Sequence, residues 1–148
     1  MRFRFRLETV LRQREIGRDI AQRDYLEAQN RVREQLAKIK SMYAQIDEAR
    51  LVAENLERKG GALANALVQT EEFIQGQKVR IQIEREIARD LMLESEQKLE
   101  VLTEKLRAFK ILEKFKAKKR EEYRKERNKR IAKEIDDINI MRVAGPKG

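Results

Sequence analysis

The carboxylates closest to a general acid–base arrangement are two adjacent pairs, Glu71-Glu72 and Asp136-Asp137. Two carboxylates perform acid–base chemistry when both point at the same substrate, but neighbours on a helix point about 100° apart. Ser41 and Ser95 have no imidazole to activate them, because the chain contains no His. It also contains no Cys, so it has neither a thiol nucleophile nor a Cys/His zinc set. The sequence therefore predicts a protein that is not an enzyme and has no catalytic, cofactor or metal site.

Positive charge is the chemistry that this sequence does offer, and it is concentrated near both termini. Residues 1–18 contain six Arg and two Glu, a net charge of +4. Residues 110–133 contain twelve Lys and Arg and four Glu, a net charge of +8. Since the whole chain carries +9, the middle is almost neutral. This asymmetry predicts that the terminal segments, rather than the middle, bind a partner by charge.

The segment KFKAKKREEYRKERNKR, residues 114–130, is compatible with four interpretations. It could be a solvated helix face, or a nucleic-acid footprint with Phe109, Phe115 and Tyr123 available for stacking. It could also lie on a membrane surface or enter an acidic cavity of a protein partner. The basic helices of DNA-binding zippers diverge from a parallel dimer, and no wide apolar face opposes the Lys and Arg residues. These observations favour the protein partner.

A heptad pattern runs from the N-terminal region to residue 56. With residue 11 at position a, the a and d positions are hydrophobic or Tyr except at Arg14, Arg18 and Gln35. A repeat of this length is typical of a coiled coil. The a positions are Leu11, Arg18, Tyr25, Val32, Ile39, Ile46 and Ala53, and the d positions are Leu7, Arg14, Ala21, Ala28, Gln35, Met42, Ala49 and Leu56.

The heptad pattern stops at Arg58-Lys59-Gly60-Gly61. Cations in the last turn followed by Gly are typical of a helix end. We expect the chain to reverse at about residues 59–62, with Gly76 as a second candidate to which the turn could extend. A second hydrophobic stripe follows at spacings of three and four, and it comprises Ala88, Met92, Leu99, Leu102, Leu106 and Phe109.

These patterns predict an all-α fold, an elongated antiparallel two-helix coiled coil (hairpin) that forms a single domain over residues 1–148. We expect the first helix at about 3–58, the second at about 63–141 and a disordered tail at 142–148. A reversal near residue 60 places residue i opposite residue 120 − i. With a rise of 1.5 Å per residue the helices would be about 80 and 120 Å long, so the second overhangs at the terminal end. The predicted seam comprises Leu7, Leu11, Val32, Ile39, Ile46, Leu56, Met92, Leu99, Leu102, Leu106 and Phe109.

The first residues present a separate question, because Arg and Phe alternate from Arg2 to Arg6 with the period of a strand. No other segment of the sequence has a strand pattern that could pair with it. On a helix, Phe3, Leu7 and Leu11 would share one stripe with the seam. We therefore predict that these residues form the first turns of the first helix, at the basic end.

The sequence has no feature of a membrane-spanning or secreted protein. No hydrophobic run approaches the ~18–20 residues that cross a bilayer. The basic N-terminus lacks the apolar stretch of a secretory signal. Because the chain has no Cys, its composition fits a reducing compartment. We expect a cytoplasmic protein without a transmembrane segment.

With these elements in place, the sequence resembles the FliJ family of flagellar type III export proteins. Phe73-Ile74 is similar to a segment that follows the turn in that family. The opening pattern of the family is matched by Phe3, Phe5, Leu7, Val10, Leu11, Arg14 and Glu15. Its C-terminal pattern is matched by Glu134, Ile135, Asp136, Asp137, Ile138 and Arg142, whereas Asn139 and Ile140 depart from it.

The resemblance implies a stalk similar to the central subunit of rotary ATPases, located at the cytoplasmic face of the inner membrane. Such a protein inserts its terminal end into the hexameric export ATPase and promotes its assembly and activity. It also contacts the cytoplasmic domain of the membrane export gate and escorts export chaperones, and it has no small-molecule substrate. The implied ATPase contacts are Arg2, Arg4, Arg6, Arg12, Lys118, Lys119, Arg120, Arg124 and Arg127. The implied gate contacts are Gln35, Ile39, Met42, Tyr43, Ile46 and Phe73.

Two other interpretations stay open at this point. One is a basic coiled coil that binds nucleic acid, and the other is a scaffold that self-associates through its seam. Pairing of residues 7–56 with residues 88–109 inside one chain predicts a monomer. The identity of the partner distinguishes the first alternative, and the mass in solution distinguishes the second.

Overall fold

A computed structural model describes residues 2–60 and 64–145. Helix α1 spans Glu8–Arg58 and helix α2 spans Ala64–Val143, and the described residues contain no strand. The two helices pack against each other as an antiparallel hairpin. The predicted fold class is therefore confirmed.

The chain divides into two compact units, and each contains a piece of both helices. The terminal unit combines Met1–Asp19 with Thr103–Gly148, and the central unit is Ile20–Leu102. In the terminal unit Lys116 Nζ lies 2.7 Å from Glu8 Oε2. In the central unit Lys38 Nζ lies 2.9 Å from Glu84 Oε1. Residue i thus lies opposite a residue near 120 − i within each unit, as the reversal near residue 60 predicts.

Isoleucine side chains form the core of the central unit. Ile81 is 2% exposed, and Met42 and Ala49 pack against the same cluster. The predicted proximity of Ile39 and Ile81 is present, because both belong to this cluster. Its buried members are Ile39, Ile46, Ile74, Ile81 and Ala88.

The core of the terminal unit is smaller and contains one aromatic ring. Leu11, Phe109 and Leu112 are buried together, and Phe5 and Leu7 pack against them. Three buried side chains provide less hydrophobic stabilisation than five, since the gain follows the apolar area removed from water.

The α1 heptad has every a and d position from Leu7 to Leu56 either buried or partly buried. The three polar exceptions each contact α2. Arg14 Nη1 donates to the Ala108 carbonyl oxygen at 2.8 Å. The Arg18 guanidinium carbon lies 4.4 Å from the centre of the Phe109 ring. Gln35 Nε2 donates to the Glu84 carbonyl oxygen at 2.9 Å, so each exception has a partner that depends on the pairing of the helices.

The α2 seam differs from the predicted one in one of its two columns. The column through Leu102 and Phe109 faces inward, but Met92 and Leu99 are 40% and 42% exposed. The other inward column lies one residue earlier and carries Gln77, Glu84, Leu91, Lys98 and Leu112. Between Lys98 and Leu112 the predicted Leu106 is partly buried, as expected, and Lys105 is exposed. Because several members of this inward column are polar, a search of the sequence for hydrophobic residues finds the neighbouring column through Met92 and Leu99 instead.

The N-terminal segment is not helical before Glu8, which corrects the predicted start at about residue 3. Phe3 lies 5.6 Å from Tyr123 and Phe5 lies 5.9 Å from Phe115, measured between ring centroids. Tyr123 and Phe115 are two helical turns apart, about 12 Å at 1.5 Å per residue. Phe3 and Phe5 are separated by one residue, so they can reach the Tyr123 and Phe115 rings more readily from an extended chain than from a helix. The alternation of Arg and Phe therefore reflects alternating exposed and partly buried side chains.

The helix ends also refine the expected boundaries. Gly60 has a φ of 54° and its amide donates to the Glu57 carbonyl oxygen at 3.3 Å, which is a left-handed glycine end to α1. The rest of the predicted turn, from residue 61, lies outside the described residues until α2 begins. Gly76 lies inside α2, so the turn does not extend to it. At the other end α2 continues to Val143, and residues 146–148 of the predicted tail lie outside the described residues.

In the central unit, the fold changes the pKa of the Glu84 carboxyl group. Glu84 accepts hydrogen bonds from the Gln35 side chain and, at 2.9 Å, from Lys38 Nζ. These hydrogen bonds lower the pKa of the Glu84 carboxyl below its ordinary value and outweigh partial burial, which raises it.

Neither described helix contains a stretch long and apolar enough to cross a membrane.

We expect Gly60→Ala and Gly76→Ala to change stability in opposite directions. Alanine at Gly60 must adopt a left-handed conformation, at a cost of about 1–2 kcal/mol. Alanine at Gly76 removes the helix penalty of glycine, about 1 kcal/mol, and the nearest atom to its Cβ would be a terminal nitrogen of the Arg80 guanidinium, at 3.4 Å. Thermal unfolding followed by circular dichroism measures both. A stabilising Gly60→Ala would contradict the described end of α1.

We expect Glu84→Gln to lower the melting temperature at neutral pH and to have little effect in acid. The lowered pKa means that the ionised Glu84 stabilises the fold above its ordinary value of 4.5. That contribution disappears as the pH falls through the lowered pKa. Melting curves between pH 7 and about pH 3 should show the gap to wild type closing. The exposed neighbour Glu86, changed to Gln, is the control, and a gap that is constant with pH would contradict the assignment.

Candidate partner-binding surfaces

The terminal unit brings the two basic segments of the sequence together. Arg2 lines a groove of about 480 Å³ with Arg120, Arg124 and Arg127 of α2. We call these four residues the arginine flank. Arg2 is separated from the α2 arginines by more than a hundred residues in the chain, and the antiparallel pairing places them at one groove.

Aromatic contacts hold the N-terminal segment at this groove. Phe3 and Tyr123 also line it, and their rings lie 5.6 Å apart. The Arg120 guanidinium carbon lies 5.7 Å from the Phe3 ring centre, within the range of a cation–π interaction. Phe3 therefore positions the chain that carries Arg2.

The remaining predicted cations are exposed, and ion pairs neutralise only some of them. Arg124 Nη2 lies 2.7 Å from Glu121 Oε1 and Lys119 Nζ lies 3.4 Å from Glu122 Oε2. Pairs of this exposed kind contribute about 0–1 kcal/mol, so a partner carboxylate can replace them. The other exposed cations of the prediction are Arg4, Arg6, Arg12 and Lys118.

The predicted gate residues fall into two groups. Ile39 and Ile46 are buried in the central core, and Met42 packs against that core. Gln35 is partly buried and hydrogen-bonded to Glu84. These four side chains take part in the packing of the two helices. Tyr43 and Phe73, at 45% and 41% exposure, can do so.

Phe73 lies in a groove that hydrophobic patterning does not reveal. The groove has a volume of about 530 Å³ and is lined by both helices. Its apolar residues are Ala49, Val52, Leu56, Ala66 and Phe73. The sequence signal that could have found it is the pair of hydrophobic residues beside the seam, Val52 and Phe73. Tyr43 occupies an e position and Val52 a g position, so the two lie on opposite sides of the seam.

The two adjacent acidic pairs lie on the exposed surface of α2. Glu71, Glu72, Asp136 and Asp137 are all exposed. Among the residues that the structure describes, no three acidic side chains are grouped so that they could hold a metal ion.

These features define an antiparallel helical-hairpin protein whose surfaces suit partner binding. A comparison with protein families identifies the particular type. The family model described as Flagellar FliJ protein matches residues 3–148, and the chain belongs to this family. Members of this family are non-enzymatic components of flagellar protein export. No curated protein and no solved structure shows a significant match to the chain.

Proposed function

We propose that this protein is a stalk of the flagellar export apparatus whose terminal unit enters the central opening of the hexameric export ATPase. Its binding promotes assembly of the hexamer and its activity. The observation that carries this proposal is the convergence of Arg2 with Arg120, Arg124 and Arg127 at one groove.

The chemistry of the arginine flank supports an acidic protein surface as its target. Arg presents a planar set of donors that can bind a carboxylate with two hydrogen bonds. Beyond the groove, every side chain from Arg124 to Ala144 is exposed. A helix that is exposed on all sides can be contacted by a ring of subunits from every direction, which suits a pore.

The central unit has surfaces for a second partner. Tyr43 and the groove around Phe73 are candidate contacts for the cytoplasmic domain of the export gate and for export chaperones. Because the gate is a membrane protein, this contact would hold the stalk at the cytoplasmic face of the inner membrane. The gate residues of the proposal are therefore Tyr43 and Phe73.

Nucleic-acid binding is the weaker alternative, because two of the three aromatic residues that would stack on bases are packed against other side chains. Phe109 is buried in the terminal core. Tyr123 is partly buried and contacts Phe3, whereas Phe115 contacts Phe5 but is 40% exposed. Stacking on bases needs an aromatic face that is open to solvent.

We expect reversal of Arg120, Arg124 and Arg127 to Glu to weaken ATPase binding by at least about a hundredfold. Loss of one partner of a buried charge pair costs about 2–5 kcal/mol. The readouts are affinity for the purified cognate ATPase and its turnover rate as the protein is titrated in at fixed salt.

The matched control reverses Lys40, Arg85 and Arg89, which are exposed cations of the central unit. It makes the same change in net charge and should retain binding. Equal loss in both variants would mean that net charge, rather than the arginine flank, governs the interaction. Retained ATPase binding with loss of binding to a nucleic-acid duplex would favour the alternative function.

We expect Tyr43→Ala and Phe73→Ala together to weaken binding to the cytoplasmic gate domain while the melting temperature changes little. Both side chains are more than a third exposed. Ile39→Ala should instead lower the free energy of unfolding by about 2–5 kcal/mol, because it empties a core position. Unchanged stability of Ile39→Ala with lost gate binding would show that Ile39 is a contact residue and not part of the core.

A further inference from the structure

The terminal unit has a second surface, on the side of the seam opposite the α2 arginines of the arginine flank. Ile111 and Phe115 of α2 are 67% and 40% exposed. Lys114 and Lys118 are exposed at spacings of three from them, so the four side chains share one helix face. The Phe5 ring lies 5.9 Å from Phe115. We call Phe5, Ile111, Lys114, Phe115 and Lys118 the lysine–phenylalanine flank.

Helix α1 extends the apolar part of this flank and keeps acidic groups away from it. Val10 is 37% exposed and lies at a g position, on the same side of the seam as Phe115. Glu8 and Glu15 occupy e positions, on the other side. On α2, where the buried Phe109 and Leu112 take the a and d positions, Glu113 also occupies an e position and Phe115 a g position. The flank thus combines exposed hydrophobic side chains with cations, because the one carboxylate between residues 107 and 118, Glu113, lies on the other side of the seam. The next acidic residue of α2 on this side, Glu122, lies one turn beyond Lys118, and its Oε2 is 3.4 Å from Lys119 Nζ.

The residue types of the two sides differ in a way that indicates different ligands. Guanidinium groups suit carboxylates in fixed geometry, whereas the ammonium of Lys is a hydrated point charge on a flexible stem. Lysine stems can lie along apolar surface while the charge stays in water. Lys119 Nζ already lies 5.5 Å from the Phe115 ring centre. Such a combination suits a surface with diffuse negative charge above an apolar interior.

We propose that the lysine–phenylalanine flank binds directly to an anionic membrane surface. Ile111 and Phe115 enter the headgroup region, and Lys114 and Lys118 lie beside lipid phosphates. This inference does not depend on the proposed function, since the residues differ from the arginine flank and the ligand is lipid rather than the ATPase. It provides an attachment to the membrane that needs no gate protein.

The absence of Trp from the chain allows a direct test of insertion. Ile111→Trp, in the full-length protein, should shift its fluorescence to shorter wavelength with vesicles that contain phosphatidylglycerol. Pure phosphatidylcholine vesicles should give no shift, because they lack the attracting charge. Ile135→Trp is the matched control, since Ile135 is an exposed α2 residue, 52% exposed, outside this face. Equal shifts in both variants, or no shift in Ile111→Trp, would overturn the proposal.

A second test changes only charged residues and leaves Ile111 and Phe115 as they are. It distinguishes binding through this flank from a general attraction between a basic protein and anionic lipid. Lys114→Glu with Lys118→Glu should reduce co-sedimentation with phosphatidylglycerol vesicles at least about tenfold. Lys110→Glu with Arg124→Glu makes the same change in net charge on the other side of the seam and should reduce it less. Equal reductions would contradict a lipid-binding flank, as would a wild-type protein that stays in the supernatant.

Discussion

The packing of two antiparallel helices along a narrow seam is the constraint on which the rest of this structure depends. Each helix buries one stripe, so most side chains of both helices face solvent. The free energy of folding therefore rests on few residues, and Ile81, 2% exposed, is the most enclosed of the large ones. The same narrow core leaves both sides of the seam available to partners. A compact domain of this length would have buried much of that surface.

Polar contacts inside the seam define how the helices align. Gln77 is 4% exposed, and its Nε2 donates to Gln45 Oε1 at 2.6 Å while its Oε1 accepts from Arg80 Nε at 3.0 Å. A shifted register would separate the buried Gln77 amide from Gln45, its partner on α1, and a buried donor without a partner costs more than its hydrogen bond contributes. Arg14 and Gln35 act similarly through carbonyl oxygens of α2. Hydrophobic layers hold the helices together, and these polar contacts select one alignment.

The α1 heptad and the pairing near 120 − i follow from the sequence because the hydrophobic period and the glycine turn specify them locally. The α2 column through Gln77 and Glu84 does not follow from the sequence. Its polar residues can be recognised as seam residues only when their partners on α1 are known. The sequence contains no strand that could pair with the N-terminal segment and therefore predicts a helix there, but aromatic side chains of α2 are its partners. The sequence likewise does not show that Ile39 is buried and Tyr43 is exposed among the residues predicted to contact the gate, because that depends on how the helices pack.

The exposed part of α2 from Arg124 to Ala144 has a further consequence for dynamics. Its backbone hydrogen bonds are not protected by a packed neighbour, and tertiary packing is the source of most helical stability in proteins. Its amides should exchange with solvent faster than those beside Ile81, so local opening begins at this end. A segment that completes its ordering on capture gives up conformational entropy at that moment. The affinity of this segment for a partner is then lower than the contact area suggests, and the complex dissociates more readily.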